Sequence, residues 1–208
     1  MNSQSHRFAL AGGMLCAVFA AANANAAIIT IDPFTGDYTD TFDQYSSTMA
    51  VQTLDVFDGT ATLSNLSTGG AIKIEWSSTL NGDHVGPISG MMAGQLGIGR
   101  WVFDQPALRF GGWFENNSMA DDASLNFYDE TNRYIGHAVA DIPVDGEQWI
   151  WNGWESTIPI KTIEVIGNGL INGFIWYENM QVTYVPEPAS LSLLILGGFT
   201  ALSLHRRR

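Results

Sequence analysis

Hydrophobic and polar residues alternate with a period of two along much of the region from residue 27 to residue 184. The clearest runs are Ile72–Trp76, Leu108–Phe110, Leu125–Phe127 and Met180–Tyr184. Neighbouring side chains of a β-strand point to opposite faces, so this alternation predicts strands with one buried and one solvated face. No part of the region keeps the 3.6-residue period of an amphipathic helix.

Turn-forming pairs that end in glycine separate these runs. They are Asp58-Gly59, Gly69-Gly70, Asn81-Gly82, Asp145-Gly146, Asn152-Gly153 and Asn172-Gly173. Asp58-Gly59 lies between two strand-like runs and predicts a hairpin with a two-residue turn. Some eight to ten strands without interleaved helices predict an all-β fold. We expect residues 27–184 to form a single antiparallel β-sandwich that is jelly-roll-like.

The first 26 residues have the order of a secretory signal peptide. His6 and Arg7 precede an apolar run, Phe8–Ala22, and the small residues Ala24-Asn25-Ala26 follow it. This order predicts a signal helix that signal peptidase cleaves after Ala26. The alternative is an N-terminal hydrophobic helix of the fold. The chain's one cysteine lies inside the predicted signal, so the mature chain has no disulfide, thiolate metal site or cysteine nucleophile.

The C-terminal 24 residues, 185–208, differ in character from the rest of the chain. Two prolines in Val185–Ser190 interrupt the strand pattern, and residues 189–204 carry no charge. As a helix these 16 residues would be ~24 Å long, which predicts a short transmembrane helix with solvated flanks. The basic end, residues 205–208, contains Arg206, Arg207 and Arg208 and should stay in the cytoplasm. The domain then lies on the side of the inner membrane that faces away from the cytoplasm.

This tail resembles the PEP-CTERM sorting domain. The resemblance is carried by Pro186-Glu187-Pro188, the short glycine-containing apolar helix and the terminal arginines. It implies processing by an exosortase in a Gram-negative bacterium, after transient anchoring in the inner membrane. Delivery to the cell surface or to the exopolysaccharide matrix of a biofilm would follow. The alternative is a plain C-terminal anchor that is never cut.

Charge restricts the possible partners. Residues 32–187 carry all 21 acidic residues but only five basic ones, which gives this segment a net charge of −16. Such a surface repels phosphate backbones and anionic lipids, so the composition excludes nucleic-acid binding. Neutral glycans, cations and other proteins remain as partners.

The chain shows no signature of a catalytic site. It lacks the spacing of zinc hydrolases and the Gly-x-Ser-x-Gly motif of serine hydrolases, so we expect no catalytic residues and no enzyme. No cofactor or metal centre is indicated by a motif. Calcium binding is the alternative left open at two acidic loops, Asp121-Asp122 and Asp129-Glu130, because carboxylate oxygens suit that ion.

Tryptophans are concentrated between residues 148 and 155. We expect Trp151 and Trp154, the latter past an Asn-Gly turn, to form a glycan platform with Asn152 and Glu155 at its side. The alternative places the tryptophans in the core, since sandwich cores use large aromatic residues. The domain also resembles the jelly-roll, carbohydrate-binding-like modules found ahead of this tail. Residues 127–136 and the final strand carry that likeness.

Three hypotheses follow for the exported domain. The first is a non-catalytic interaction or structural component of the exopolysaccharide matrix. The second is a carbohydrate-binding module with a defined tryptophan platform. The third is a hydrolase that acts on matrix glycans, which would need two carboxyl groups held at a fixed separation.

Overall fold

The computed structural model describes residues 28–45, 47–76, 78–80, 83–85, 88, 90–116, 122–142, 148–167 and 173–186. Several predicted features lie outside these residues: Ala24 and Ala26 of the signal, Glu187 and Pro188 of the sorting motif, the apolar tail 189–204, and Arg206–Arg208. Pro186, the first residue of the motif, is described and exposed. Within the described ranges no helix has the length and apolar character needed to cross a membrane.

The described residues form fourteen β-strands and no helix. The strands are β1 Ile28–Thr30, β2 Tyr38–Asp40, β3 Met49–Val51, β4 Thr53–Val56, β5 Ala61–Asn65, β6 Ile72–Glu75, β7 Ser78–Leu80, β8 Asp83–Val85, β9 Met92–Leu96, β10 Ile98–Asn116, β11 Ala123–Tyr128, β12 Tyr134–Ala140, β13 Ile150–Gly167 and β14 Phe174–Tyr184. Twelve of them join one antiparallel sheet, and β7 pairs with β8 separately. The predicted all-β, antiparallel fold is confirmed.

Two long strands organise the sheet. β10 and β13 pair from Ile98–Ile166 to Phe114–Ile150, with bulges between Val102 and Arg109. Beyond this pair, β5 adds to the first half of β10 and β14 to its second half, while β11 and β1 add to opposite halves of β13. The sheet thus has two parts, β4-β5-β10-β13-β11-β12 and β1-β13-β10-β14-β9-β6-β3, with β2 also on β14. The arrangement is sandwich-like.

The core lies between these two parts and contains a network of aromatic rings among its aliphatic side chains. Trp101 of the first half of β10 contacts Phe110 of its second half and Tyr177 of β14, with ring centroids 5.2 and 5.4 Å apart. Edge-on contacts of this kind suit aromatic rings, whose positive edges meet negative faces. Phe127 of β11 reaches Trp154 of β13 in the same way, at 6.1 Å.

The predicted alternation is confirmed in most runs. Leu125 and Phe127 are fully buried, as are Met180 and Val182, while the residues between them are only partly buried. Ile72 and Ile74 are also fully buried. Trp76, however, is 67% exposed, because β6 ends at Glu75 and the chain bends there.

The hairpin predicted at Asp58-Gly59 is present, but its turn is longer than two residues. Val56 pairs with Ala61, so four residues connect β4 to β5. Phe57 and Asp58 both have a positive φ, of 53° and 56°. The carboxylate of buried Asp40 accepts the backbone N–H of Phe57 at 2.9 Å, which stabilises this uncommon backbone conformation.

Candidate functional site

From Ile150 onward the tryptophan-rich segment is a continuous strand, not a turn. Asn152 and Gly153 lie inside β13 and pair with Gly112 and Gly111 of β10. Trp151 and Trp154 are therefore three positions apart on one strand, and an odd separation places side chains on opposite faces. The prediction that Trp154 belongs to a surface platform is wrong.

Trp154 is a core residue with 1% of its surface exposed. Its ring stacks on Phe110, at 6.4 Å between centroids, and meets the rings of Phe114 and Phe127 edge-on at 5.7 and 6.1 Å. It fills the space where the two parts of the sheet face each other. A sugar ring has no access to it.

Trp151 lies on the outer face of the same strand and is half-buried. Trp113, its cross-strand partner on β10, meets it edge-on at 6.1 Å between ring centroids. Phe34, from the segment after β1, meets it edge-on from another element at 5.8 Å. Three rings from three distant parts of the sequence thus form one cluster on the outer face, the Trp151 cluster.

A pair of glycines makes room for the Trp151 ring. Gly111 and Gly153 face each other across β10 and β13 on this outer face. A side chain on Gly153 would begin 3.0 Å from Nε1 of Trp151, and one on Gly111 would begin 3.2 Å from its Cζ2. The indole edge lies directly on this glycine pair. Its position is therefore fixed by the sheet and not by a loop.

A depression of about 670 Å³ opens beside the ring. It is lined by Trp151 and by the segment Thr30–Pro33, which includes the exposed carboxylate of Asp32. The backbone N–H of Ile31 donates to the carbonyl of Gly153 at 2.9 Å, which attaches this segment to β13. The depression is the strongest candidate for a ligand site among the described residues.

The other two predicted platform residues do not line this depression. Asn152 points to the opposite face, is 7% exposed, and holds Asp141 through two hydrogen bonds of 2.9 and 3.0 Å. Its prediction as a glycan contact is wrong for the same reason of strand parity as for Trp154. Glu155 does share the outer face with Trp151, but it forms a 2.8 Å ion pair with Arg109. The negative charge of Glu155 is therefore balanced by the guanidinium group of Arg109.

The outer face also contains a buried carboxyl group that the sequence did not predict. Glu115 of β10 follows Trp113 at the same parity, and it is fully buried. Neither of its carboxylate oxygens has a hydrogen-bond partner in the part of the chain that the structure describes. Burial raises the pKa of Glu115 to about 8. Near neutral pH this side chain is therefore an uncharged acid.

Glu115 has aromatic and acidic neighbours in the sheet. It pairs with Trp176 of β14, and Glu178 of the same strand pairs with Trp113. Glu178 is fully buried and accepts the backbone N–H of Ile88. Periodicity alone could not identify these residues, because both faces of the sheet are buried here and the burial pattern no longer alternates.

Two of the four carboxylates proposed for calcium, those of Asp122 and Asp129, accept hydrogen bonds within the protein. Asp129 accepts hydrogen bonds from Thr131 and Arg133, and the hydroxyl of Thr131 is the main reason that its pKa is lowered to about 2. Asp122 accepts the N–H of Ile142 at 3.3 Å, and Asp121 lies outside the described residues. Among the residues with described positions, no three His, Cys, Asp or Glu side chains are grouped as metal ligands would be.

A second, acidic cleft of about 430 Å³ lies between the segment after β2 and the β4–β5 hairpin. Asp40, Asp55 and Asp58 line it together with Tyr45. Burial, and after it the charge of Asp40, raise the pKa of Tyr45. The Asp40 carboxylate is occupied by the N–H groups of Phe42 and Phe57, so its role is to hold the two loops together.

Comparisons with known proteins add only distant similarities. No protein-family model matches the chain, and no curated protein matches it. Among solved structures, a DUF4465 family protein from Bacteroides caccae is 12% identical, with a TM-score of 0.44, and the match covers 81% of this chain and 97% of that one. The enzymatically active domain of bacteriophage CBA120 tailspike protein 4 is 11% identical, with a TM-score of 0.30 over 76% of this chain and 19% of that one. No ligand or activity passes from these proteins to the present chain.

Proposed function

We propose that this chain is an exported surface or exopolysaccharide-matrix protein of a Gram-negative bacterium, sorted by an exosortase. Signal peptidase removes residues 1–26, the apolar helix 189–204 holds the protein briefly in the inner membrane, and the exosortase cuts at Pro186-Glu187-Pro188. The order of motif, uncharged segment and terminal arginines supports this route. A plain anchor would need no such motif.

The delivered domain is proposed to be a non-catalytic, jelly-roll-like interaction module whose ligand is a matrix polysaccharide. One observation carries this proposal: the half-buried ring of Trp151, fixed on the Gly111–Gly153 pair, borders an open depression. A rigid aromatic surface beside a few polar groups is the usual composition of a site that binds an amphipathic ligand. The C–H faces of a pyranose ring suit such a surface, and its hydroxyl groups suit the polar rim.

A glycan-acting hydrolase is the second candidate, and Glu115 is the observation that favours it. A carboxyl group with a pKa of about 8 is protonated at neutral pH, as a general acid must be. Against it, Glu115 and Glu178 are both fully buried, so neither carboxyl group reaches a substrate in this conformation. The non-catalytic proposal therefore has the stronger support.

The sorting route is tested by mass spectrometry of the protein from an exosortase-containing host. We expect a mature N-terminus at Ala27 and loss of the tail near Pro186. Glu187→Ala should leave a full-length, membrane-retained form, whereas Glu155→Ala, a matched change outside the motif, should be processed normally. Recovery of the intact tail on wild-type surface protein would refute exosortase processing.

Hydrolysis is tested separately by incubating the mature protein with exopolysaccharide from the same host. We expect no new reducing ends over those in a buffer control. A release of reducing ends that disappears in Glu115→Gln would overturn the non-catalytic proposal and establish the second candidate.

A further inference from the structure

The ring of Trp151, held by two neighbouring aromatic rings, forms the aromatic part of the depression. Phe34 and Trp113 stand nearly perpendicular to Trp151, at interplanar angles of 83° and 78°. Both rings contact Trp151 but do not line the depression, where Trp151 contributes the aromatic surface. The faces of aromatic rings carry partial negative charge and attract ammonium groups within about 6 Å of the ring centroid.

A carboxylate completes this environment. Asp32 lines the same depression as Trp151 and is exposed. It has no ion-pair or hydrogen-bond partner among the described residues. Arg109 and Glu155, also on this outer face, form an ion pair with each other at 2.8 Å. The depression therefore combines the carboxylate of Asp32 with the aromatic ring of Trp151.

The charge of the whole domain acts in the same direction. Its excess of acidic residues repels uronate-rich or sulfated polymers and attracts cationic ones. A neutral glycan would use the Trp151 ring but would leave the charge of Asp32 without a counterpart. An amino sugar without its acetyl group offers both a C–H face and an ammonium group.

We infer that the depression at Trp151 and Asp32 binds a polysaccharide of de-N-acetylated amino sugars. Trp151 stacks on the pyranose ring, and Asp32 pairs with the ammonium group of the same or the next residue. This inference rests on the proposed polysaccharide-binding function and specifies its ligand class. It requires no covalent step.

The test compares two probes of equal length, a glucosamine hexamer and an N-acetylglucosamine hexamer. Isothermal titration at pH 6 with the mature exported protein should give tighter binding of the glucosamine hexamer. Asp32→Asn should weaken this binding about five-fold, as expected for an exposed charge pair, and should leave binding of the acetylated hexamer unchanged. Asp104→Asn removes an exposed carboxylate elsewhere and should change neither.

Equal wild-type affinity for the two hexamers, or an equal loss for both in Asp32→Asn, would overturn the amino-sugar inference and leave polysaccharide binding intact. If the wild-type protein binds neither hexamer nor the host exopolysaccharide, both the inference and the proposed function fail. Melting curves of the two asparagine variants verify that they are folded, since both positions are exposed.

Discussion

Both faces of the sheet at β10 and β13 carry a tryptophan, but the two tryptophans have different surroundings. On the inner face, Trp154 is packed among three aromatic rings and is 1% exposed. On the outer face, Trp151 lies three residues earlier, rests on two glycines and borders an open depression. The difference comes from strand parity and from what the neighbouring strands place opposite each ring.

This comparison shows that tryptophan content alone does not identify a binding surface. The inner tryptophan contributes to stability through burial, and the outer one stays half-exposed because the glycine pair supports it without covering it. A substitution on the inner face should therefore change stability, and one on the outer face should mainly change binding. Four substitutions test this difference.

The largest effect is expected for Trp154→Ala. Removal of the indole leaves a cavity between the two parts of the sheet and should cost about 3 to 5 kcal/mol in the free energy of unfolding. Urea denaturation of the purified variant measures this cost. Trp76→Ala, at a site that is 67% exposed, is the control and should change stability by less than about 0.5 kcal/mol. Similar small effects for both would contradict the core position of Trp154.

Glu115→Gln tests whether the outer face near β14 shields the Glu115 carboxyl group from water. The folded pKa is raised from 4.5 to about 8, so the folded state holds a proton that the unfolded state loses above pH 4.5. Wild-type stability should then fall as pH rises between these values, by about 1.4 kcal/mol per pH unit, and level off above pH 8. The only other carboxyl group on this part of the face, in the described chain, is Glu178.

The glutamine variant is uncharged at every pH and should lose this slope. Between pH 5 and pH 7, the difference in stability between variant and wild type should grow in favour of the variant by about 2 to 3 kcal/mol. Chemical denaturation at a series of pH values measures it. Parallel stability curves for the two proteins would show that Glu115 is hydrated.

Trp151→Ala should separate binding from stability. The ring is half-buried, so its loss should cost about 1 to 2 kcal/mol, less than the loss of Trp154. Binding to polysaccharide should fall by about ten-fold or more, as for a central aromatic contact. A large loss of stability comparable to that of Trp154→Ala would place Trp151 among the core residues instead.

The smallest effect is expected for Glu155→Gln. Both members of the Arg109 pair have side chains more than 40% exposed, so breaking the pair should cost no more than about 0.5 kcal/mol. Polysaccharide binding should be unchanged, because the depression does not include this residue. A clear loss of binding, measured in the same titration as for Trp151→Ala, would extend the site along the strand.

Alternation in the sequence was sufficient to predict which residues are buried in strands that have one solvated face. Leu125 and Phe127, or Met180 and Val182, are buried as their spacing predicts, since parity decides burial there. Local sequence was insufficient for Asn152-Gly153, a pair that is frequent in turns. Here the pair belongs to the long strand β13, which pairs with β10 on one side and with β1 on the other. Tertiary pairing overrides the local preference for a turn.

The composition of the site could not be predicted for a related reason. Phe34, Trp113 and Trp151 are far apart in sequence and meet because β10 is in register with β13 and because the segment after β1 is hydrogen-bonded to β13. Register between distant strands depends on the complete sheet. Trp151 was expected from the sequence as a glycan contact, which stays a prediction, whereas Asp32, which lines the depression with it, carried no signal of its own.

The proposal that the domain binds matrix polysaccharide through the Trp151 face is best tested with exopolysaccharide from the native host. Mature wild-type protein, Trp151→Ala and the exposed-site control Trp76→Ala should be titrated with it under identical conditions. We expect saturable binding by the wild type and by Trp76→Ala, and at least about a ten-fold loss for a folded Trp151→Ala. Equal binding by all three proteins, or none by the wild type, would contradict the claim.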